Sequence, residues 1–171
     1  EELRTIGVGY ELEYLGQQSG SAWDFGLNAA LYGWNDPAGI IIALRGFAMH
    51  DRQTPVFGRI GSYAYGRPDQ RVLFAEIDNR VGYYVGGYAK HDLGIELRAL
   101  HYDNRADPSA FMPSIDDYAW DTRFDSLGLR YDSATGTTLI LQWLEGRTDV
   151  GPGAHDRWQF EAAFILLAQQ L

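Results

Sequence analysis

The chain has 171 residues, no cysteine and a formal net charge of −9, which excludes disulfide frameworks, thiolate metal sites and cysteine nucleophiles together. The acidic balance leaves no broad positive field for a phosphate backbone, so nucleic acid is not expected as a partner. The 20 Gly, 11 Tyr, 8 Phe and 5 Trp suit pleated strands and interfacial aromatic belts, and no run of about 18–20 apolar residues is present to make a membrane-spanning helix.

From residue 5 to 14 the chain alternates, with Ile6, Val8, Tyr10, Leu12 and Tyr14 on one face and Gly7, Gly9, Glu11 and Glu13 on the other. After the turn signal Gly16-Gln17-Gln18-Ser19-Gly20-Ser21, Trp23, Phe25, Leu27, Ala29 and Leu31 alternate with Asp24, Gly26, Asn28, Ala30 and Tyr32. One face is fit for lipid, the other for water. Asn35-Asp36-Pro37-Ala38-Gly39 is a second break, and 40–49, apolar on both faces except for Arg45, is expected as a strand. Residues 50–80 collect Pro and Gly and lose periodicity, which predicts a long loop with at most a short strand at 72–77.

Residues 81–90 and 95–102 read as a hairpin closed by His91-Asp92-Leu93-Gly94, and a second long loop is expected over 103–117. Residues 118–131 and 137–148 flank the turn Asp132-Ser133-Ala134-Thr135-Gly136 and align Leu127, Leu129 and Tyr131 with Leu139, Leu141 and Trp143. The last strand sets Trp158, Phe160, Ala162, Phe164 and Leu166 against Gln159, Glu161, Ala163, Ile165 and Leu167. The total is about eight strands in one all-β domain over 1–171. Many approach the roughly 9–11 residues of a tilted transmembrane strand, and short and long connections alternate in the second half, as at the two rims of a barrel. The fold expected is an antiparallel transmembrane β-barrel, a meander of about eight strands that is either a closed barrel or part of one. The polar faces then line the lumen: Glu11, Glu13, Asp24, Arg45, Glu96, Arg98, Arg130, Gln142 and Glu161 are the predicted pore-lining residues. A soluble β-sandwich carbohydrate-binding module is the competing reading, because a sandwich also alternates and its apolar face is simply the core.

No catalytic site emerges. Glu11 and Glu13 share a face at a spacing suited to paired-carboxylate chemistry, but a wet wall accounts for them better. The four histidines have no HxH or HExxH spacing, and the acidic run Asp103, Asp107, Asp116, Asp117, Asp121 and Asp125 lacks the spacing of a calcium loop. No metal and no cofactor is expected, and the chain is not read as an enzyme.

Four stretches carry a resemblance: Asn35-Asp36-Pro37-Ala38-Gly39, Leu44-Arg45-Gly46-Phe47-Ala48-Met49-His50-Asp51-Arg52-Gln53-Thr54, Tyr102-Asp103-Asn104-Arg105-Ala106-Asp107-Pro108 and Thr122-Arg123-Phe124-Asp125-Ser126-Leu127-Gly128-Leu129. Together they resemble uncharacterised porin-like outer-membrane proteins of Gram-negative bacteria, distantly similar to the phosphate-selective porin class. The resemblance implies a place in the cell outer membrane, the lipid bilayer and small hydrophilic solutes as partners, and passive diffusion as the activity. Members of that group look longer at both ends, so this chain is expected to be an internal fragment. Lys90 is the only lysine, and phosphate selectivity does not carry over.

Overall fold

A computed structural model describes residues 5–41, 59–62 and 69–170. Seven long strands form one antiparallel sheet in chain order: β1 (Ile6–Tyr14), β2 (Trp23–Gly33), β5 (Gly82–His91), β6 (Ile95–Asp103), β9 (Asp121–Asp132), β10 (Thr137–Val150) and β11 (Asp156–Gln169). Two small ribbons lie between them, β3 (Arg59–Ser62) with β4 (Asp69–Val72) and β7 (Phe111–Met112) with β8 (Asp117–Tyr118). The all-β meander expected from the alternation is therefore present. Among the described residues, seven strands build the main sheet where about eight were expected, and that sheet does not close on itself.

The difference lies between β2 and β5. The segment expected to begin a strand at Ile40 is instead helical through Gly39, Ile40 and Ile41, following a 3-10 turn at Asp36–Ala38. The rest of that expected strand, with Arg45, lies outside the described residues. The short strand expected at 72–77 is not there: β4 covers Asp69–Val72, and 73–77 run as irregular backbone.

Two hairpins are closed by glycine at positive φ, Gly94 (80°) and Gly136 (81°). A side chain at Gly94 would meet the Asp132 carbonyl oxygen at 2.1 Å, so this turn needs glycine for space as well as for conformation. The three connections at this end of the sheet are residues 15–22, 92–94 and 133–136, all short. The opposite end carries 34–81 and 104–120 as well as the short 151–155.

Direct cross-strand partners share a face, so the register sorts every side chain. One face carries the rows Tyr14–Phe25–Ala89–Leu97–Leu129–Leu141–Ile165 and Leu12–Leu27–Gly87–Ala99–Leu127–Trp143–Ala163 across all seven strands. Fifteen of the twenty-two large exposed apolar side chains among the described residues lie on this face, Val8 at 71% and Ile165 at 76% exposure included. Among the described residues, no packed core sits there.

The core is on the other face, at the end with the long connections. Ile40, Trp120 and Val150 are buried together, with Leu73, Tyr118 and Trp158 against them, and the Trp120 and Trp158 rings stack at 5.3 Å. Burying each such side chain contributes roughly 1.5–3 kcal/mol. The helical turn after β2 is thereby folded back over the ends of β9, β10 and β11, where a side chain at Gly39 would strike the hydroxyls of Thr122 and Thr148.

Candidate functional site

The polar face is built from three rows near the short-turn end. Asp24, Lys90, Glu96 and Arg130 stand directly opposite one another on β2, β5, β6 and β9, alternating in sign. Opposite charges in direct cross-strand register attract by roughly 0.2–1 kcal/mol per pair. The next row runs Glu13–Gly26–Tyr88–Arg98–Gly128–Gln142, and the third Glu11–Asn28–Gly86–Leu100–Ser126–Leu144.

Glycine makes room in these rows. The Tyr88 ring lies over Gly26, where an added Cβ would sit 2.0 Å from it, and from there the Tyr88 hydroxyl donates to Glu13 Oε1 at 2.7 Å. Arg98 pairs with Glu96, and Arg130 donates twice to Asp132, at 2.6 and 3.2 Å. A groove of about 540 Å³ runs along this face, lined by Asn28, Tyr88, Glu96, Arg98, Ser126, Arg130 and Gln142 among others. Seven of the nine residues expected on one polar wall, Glu11, Glu13, Asp24, Glu96, Arg98, Arg130 and Gln142, do share this face.

Of the other two, Arg45 lies outside the described residues, and Glu161 is on the opposite face. The register ties Glu161 to Glu145, and through it to Asp125 and His101, and Trp143 donates its indole N–H to Glu161 Oε1 at 3.0 Å. The phase of β11 was misread because 162–168 is apolar on both sides. Beyond Arg130 the polar face is uncharged on β10 and, after Asp156, on β11, where Ile140, Phe164 and Leu166 point the same way as Arg130 and Gln142.

Further toward the long connections the polar face becomes aromatic. Tyr32 stacks on Tyr84 and Tyr102, and Tyr102 on Phe124 with ring centroids at 4.7 Å. Phe160 reaches across Gly146 toward Phe124, and a side chain at Gly146 would have no space between them. Above the ladder lies a hydrogen-bonded hub. Asn104 accepts from the Thr122 N–H at 2.7 Å and donates to the Trp120 carbonyl at 2.7 Å, while the hydroxyls of Thr122 and Thr148 bond at 2.6 Å.

The hub also holds a group that sequence reasoning missed. Carboxylate oxygens of Asp36, Glu76 and Asp78 lie within 4.8 Å of one another. Asp36 is buried and accepts from the backbone N–H groups of Ile77 at 2.5 Å and Asp78 at 3.3 Å, and Glu76 accepts from the Trp34 N–H at 2.8 Å. Burial pushes the Asp36 carboxyl up to about 6, against the pull of the Ile77 N–H and with a further push from Asp78 and Glu76. The acidic run 103–125 does not gather in this way. Asp107 pairs with Arg80 at 2.9 Å and Asp125 with His101 at 2.7 Å.

On the apolar face, the charged residues stand just beyond the apolar rows on β6 to β11. There the Tyr83 hydroxyl meets His101 Nε2 at 3.3 Å and His101 Nδ1 meets Asp125 Oδ1 at 2.7 Å. Glu145, Arg147 and Glu161 share the surface with them. No cleft-bound nucleophile accompanies this relay among the described residues. No protein-family model matches the chain, and no curated protein or solved structure matches it.

Proposed function

We propose that the seven-stranded sheet is wall of a transmembrane β-barrel in an outer membrane, and that its polar face lines a porin-like path for passive diffusion of small hydrophilic solutes. The observation that carries this is the exposed apolar face. Soluble monomers rarely expose contiguous apolar patches beyond a few hundred Å², whereas here apolar rows cross every strand with nothing among the described residues over them. A sandwich core would need a second sheet there.

Three further features agree. Main-sheet strands run from 9 to 14 residues, long enough for a tilted crossing of a bilayer. Short turns gather at one end and the long connections at the other, with Tyr14, Trp23 and Tyr131 marking the short-turn border of the apolar face as an interfacial belt does. The opposite border is oblique. On β1 the apolar run extends past Val8 to Ile6, but the row through Val8 ends at Gln159 on β11, where apolar residues of this face begin only at Ala163. The slip is about six residues over six strand steps, or roughly 35° at standard strand spacings, within the tilt range of barrel strands.

In the lumen, the alternating charges of Asp24, Lys90, Glu96 and Arg130 set transverse fields that admit water and small polar solutes without favouring one sign of ion strongly. Planar-bilayer recordings test this. Stepwise conductance is expected, with Arg98→Glu shifting ion preference toward cations. A bilayer that stays silent at every voltage removes the pore reading.

A further inference from the structure

The polar face is not polar throughout. On β11, residues 162–168 are apolar on both sides, and on the side shared with Arg130 and Gln142 the side chains of Phe164 and Leu166 are 48% and 45% exposed. Phe164 stands opposite Gln142 and Leu166 opposite Ile140. A solute that is polar all round would leave this apolar bank against water, the state that burial of apolar surface relieves.

The cations stand beside this bank. Arg130 is in direct register with Ile140 and through it with Leu166, while Arg98 leads through Gly128 and Gln142 to Phe164. Gly128 puts no side chain in between. Arg98 pairs through Nε with Glu96 and Arg130 with Asp132, yet their side chains are 72% and 54% exposed, and a guanidinium carries five N–H donors. Glu11, Glu13 and Asp24 lie at the far side, on β1 and β2. The face is thus graded across its strands, from acidic on β1 and β2, through arginine donors on β6 and β9, to apolar on β10 and β11.

Resting on the membrane reading above, we infer that the groove of about 540 Å³ takes amphipathic organic acids, with the carboxylate on Arg98 and Arg130 and the apolar body laid over Ile140, Phe164 and Leu166. Arginine suits this head because its planar fork matches a carboxylate with two parallel bonds. The acidic strands β1 and β2 repel the same head, so charge complementarity fixes which end goes where. Two to three strand spacings separate the arginines from Leu166 and Phe164, roughly 10–14 Å, which fits an acid with a ring or a chain of several carbons rather than acetate. Small ions meet balanced charge on this wall; a head-and-tail solute is oriented by it.

Planar-bilayer recordings of the protein with phenylbutyrate, phenylbutylammonium and acetate separate head from tail. Saturable block by phenylbutyrate is expected at concentrations about 10-fold below those needed for the other two. Arg98→Gln and Phe164→Asn should each raise the blocking concentration of phenylbutyrate by about 10-fold, and Phe164→Leu should keep it near wild type. Equal block by the ammonium or by acetate overturns the inference, as does block indifferent to Phe164→Asn, and the wild-type comparison of the three probes stands whether or not that variant inserts. Phe164→Cys checks what covers the bank, because the chain has no other thiol. Rapid reaction with a water-soluble thiol reagent in open channels is expected, whereas a shielded thiol means that another part of the protein fills the bank, which also overturns the inference. Failure of the membrane reading itself is distinct: no channels form with any probe, and the inference falls with it.

Discussion

Strand β9 obeys two different sets of rules within one length. At its start Thr122 is 3% exposed, held by Asn104 and Thr148 under a returning chain segment; a few residues on, Leu127 is 53% exposed. The loop end of the polar face is organised like the inside of a soluble protein, with rings stacked and Asn104, Thr122 and Thr148 buried and hydrogen-bonded. The apolar face has the opposite economy: large side chains with no described residue covering them, on strands whose backbone groups are satisfied by their neighbours. A water-facing protein would bury the second region before the first. The contrast is resolved if the solvent differs, water and loops at one end and hydrocarbon along the strands.

The largest expected effect is at the hub. Trp120→Ala removes the ring packed on Ile40, Val150 and Trp158 and should cost about 3–5 kcal/mol in urea unfolding of the bilayer-inserted protein. A cost below about 1 kcal/mol would mean that the hub is not a core. On the apolar face, Leu97→Arg should cost about 2–4 kcal/mol in the same assay, as charge on a lipid-facing strand does. Its neighbour Arg98 is already tolerated on the other face. Equal stability of wild type and Leu97→Arg would place this face in water and break the comparison.

Asp36 gives the hub a pH dependence of defined sign. Its folded value is about 6 against an ordinary value of 3.8, so between these values the folded state holds more protons than the unfolded one. Stability falls as pH rises through this window and stays lowered above it. The change is on the order of 2–3 kcal/mol, and Asp36→Asn should flatten it in denaturation curves taken from pH 4 to 7. The smallest effect is expected at the paired hydroxyls. Thr148→Val leaves Thr122 Oγ1 with the Trp120 carbonyl at 3.4 Å and should cost about 1–2 kcal/mol in the same denaturation assay; a neutral result would mean that the 2.6 Å contact adds nothing.

Much of the sheet was legible because alternation with glycine and charge on one side phases a strand without outside help, as in β1, β2 and β6. Where both sides are apolar the phase is silent. Glu161 could be assigned only through its register with Glu145, which no local pattern in β11 carries. Ile40 was read as the start of a strand because a short apolar run does not distinguish strand from helix. Its helical turn is selected by Trp120, Val150 and Trp158, all distant in sequence. For the same reason Asp36 looked like an ordinary turn residue before Pro37, since Glu76 and Asp78, which crowd it, come from the far end of the long connection.

The central claim concerns which face meets lipid, and adjacent positions on β9 decide it. The protein lacks cysteine, so Leu127→Cys and Ser126→Cys can each carry one environment-sensitive fluorophore in vesicles. Leu127 is expected to be quenched by bromine on the acyl chains and shielded from aqueous iodide, and Ser126 to show the reverse. Equal quenching at both positions, or lipid quenching confined to Ser126, would contradict it.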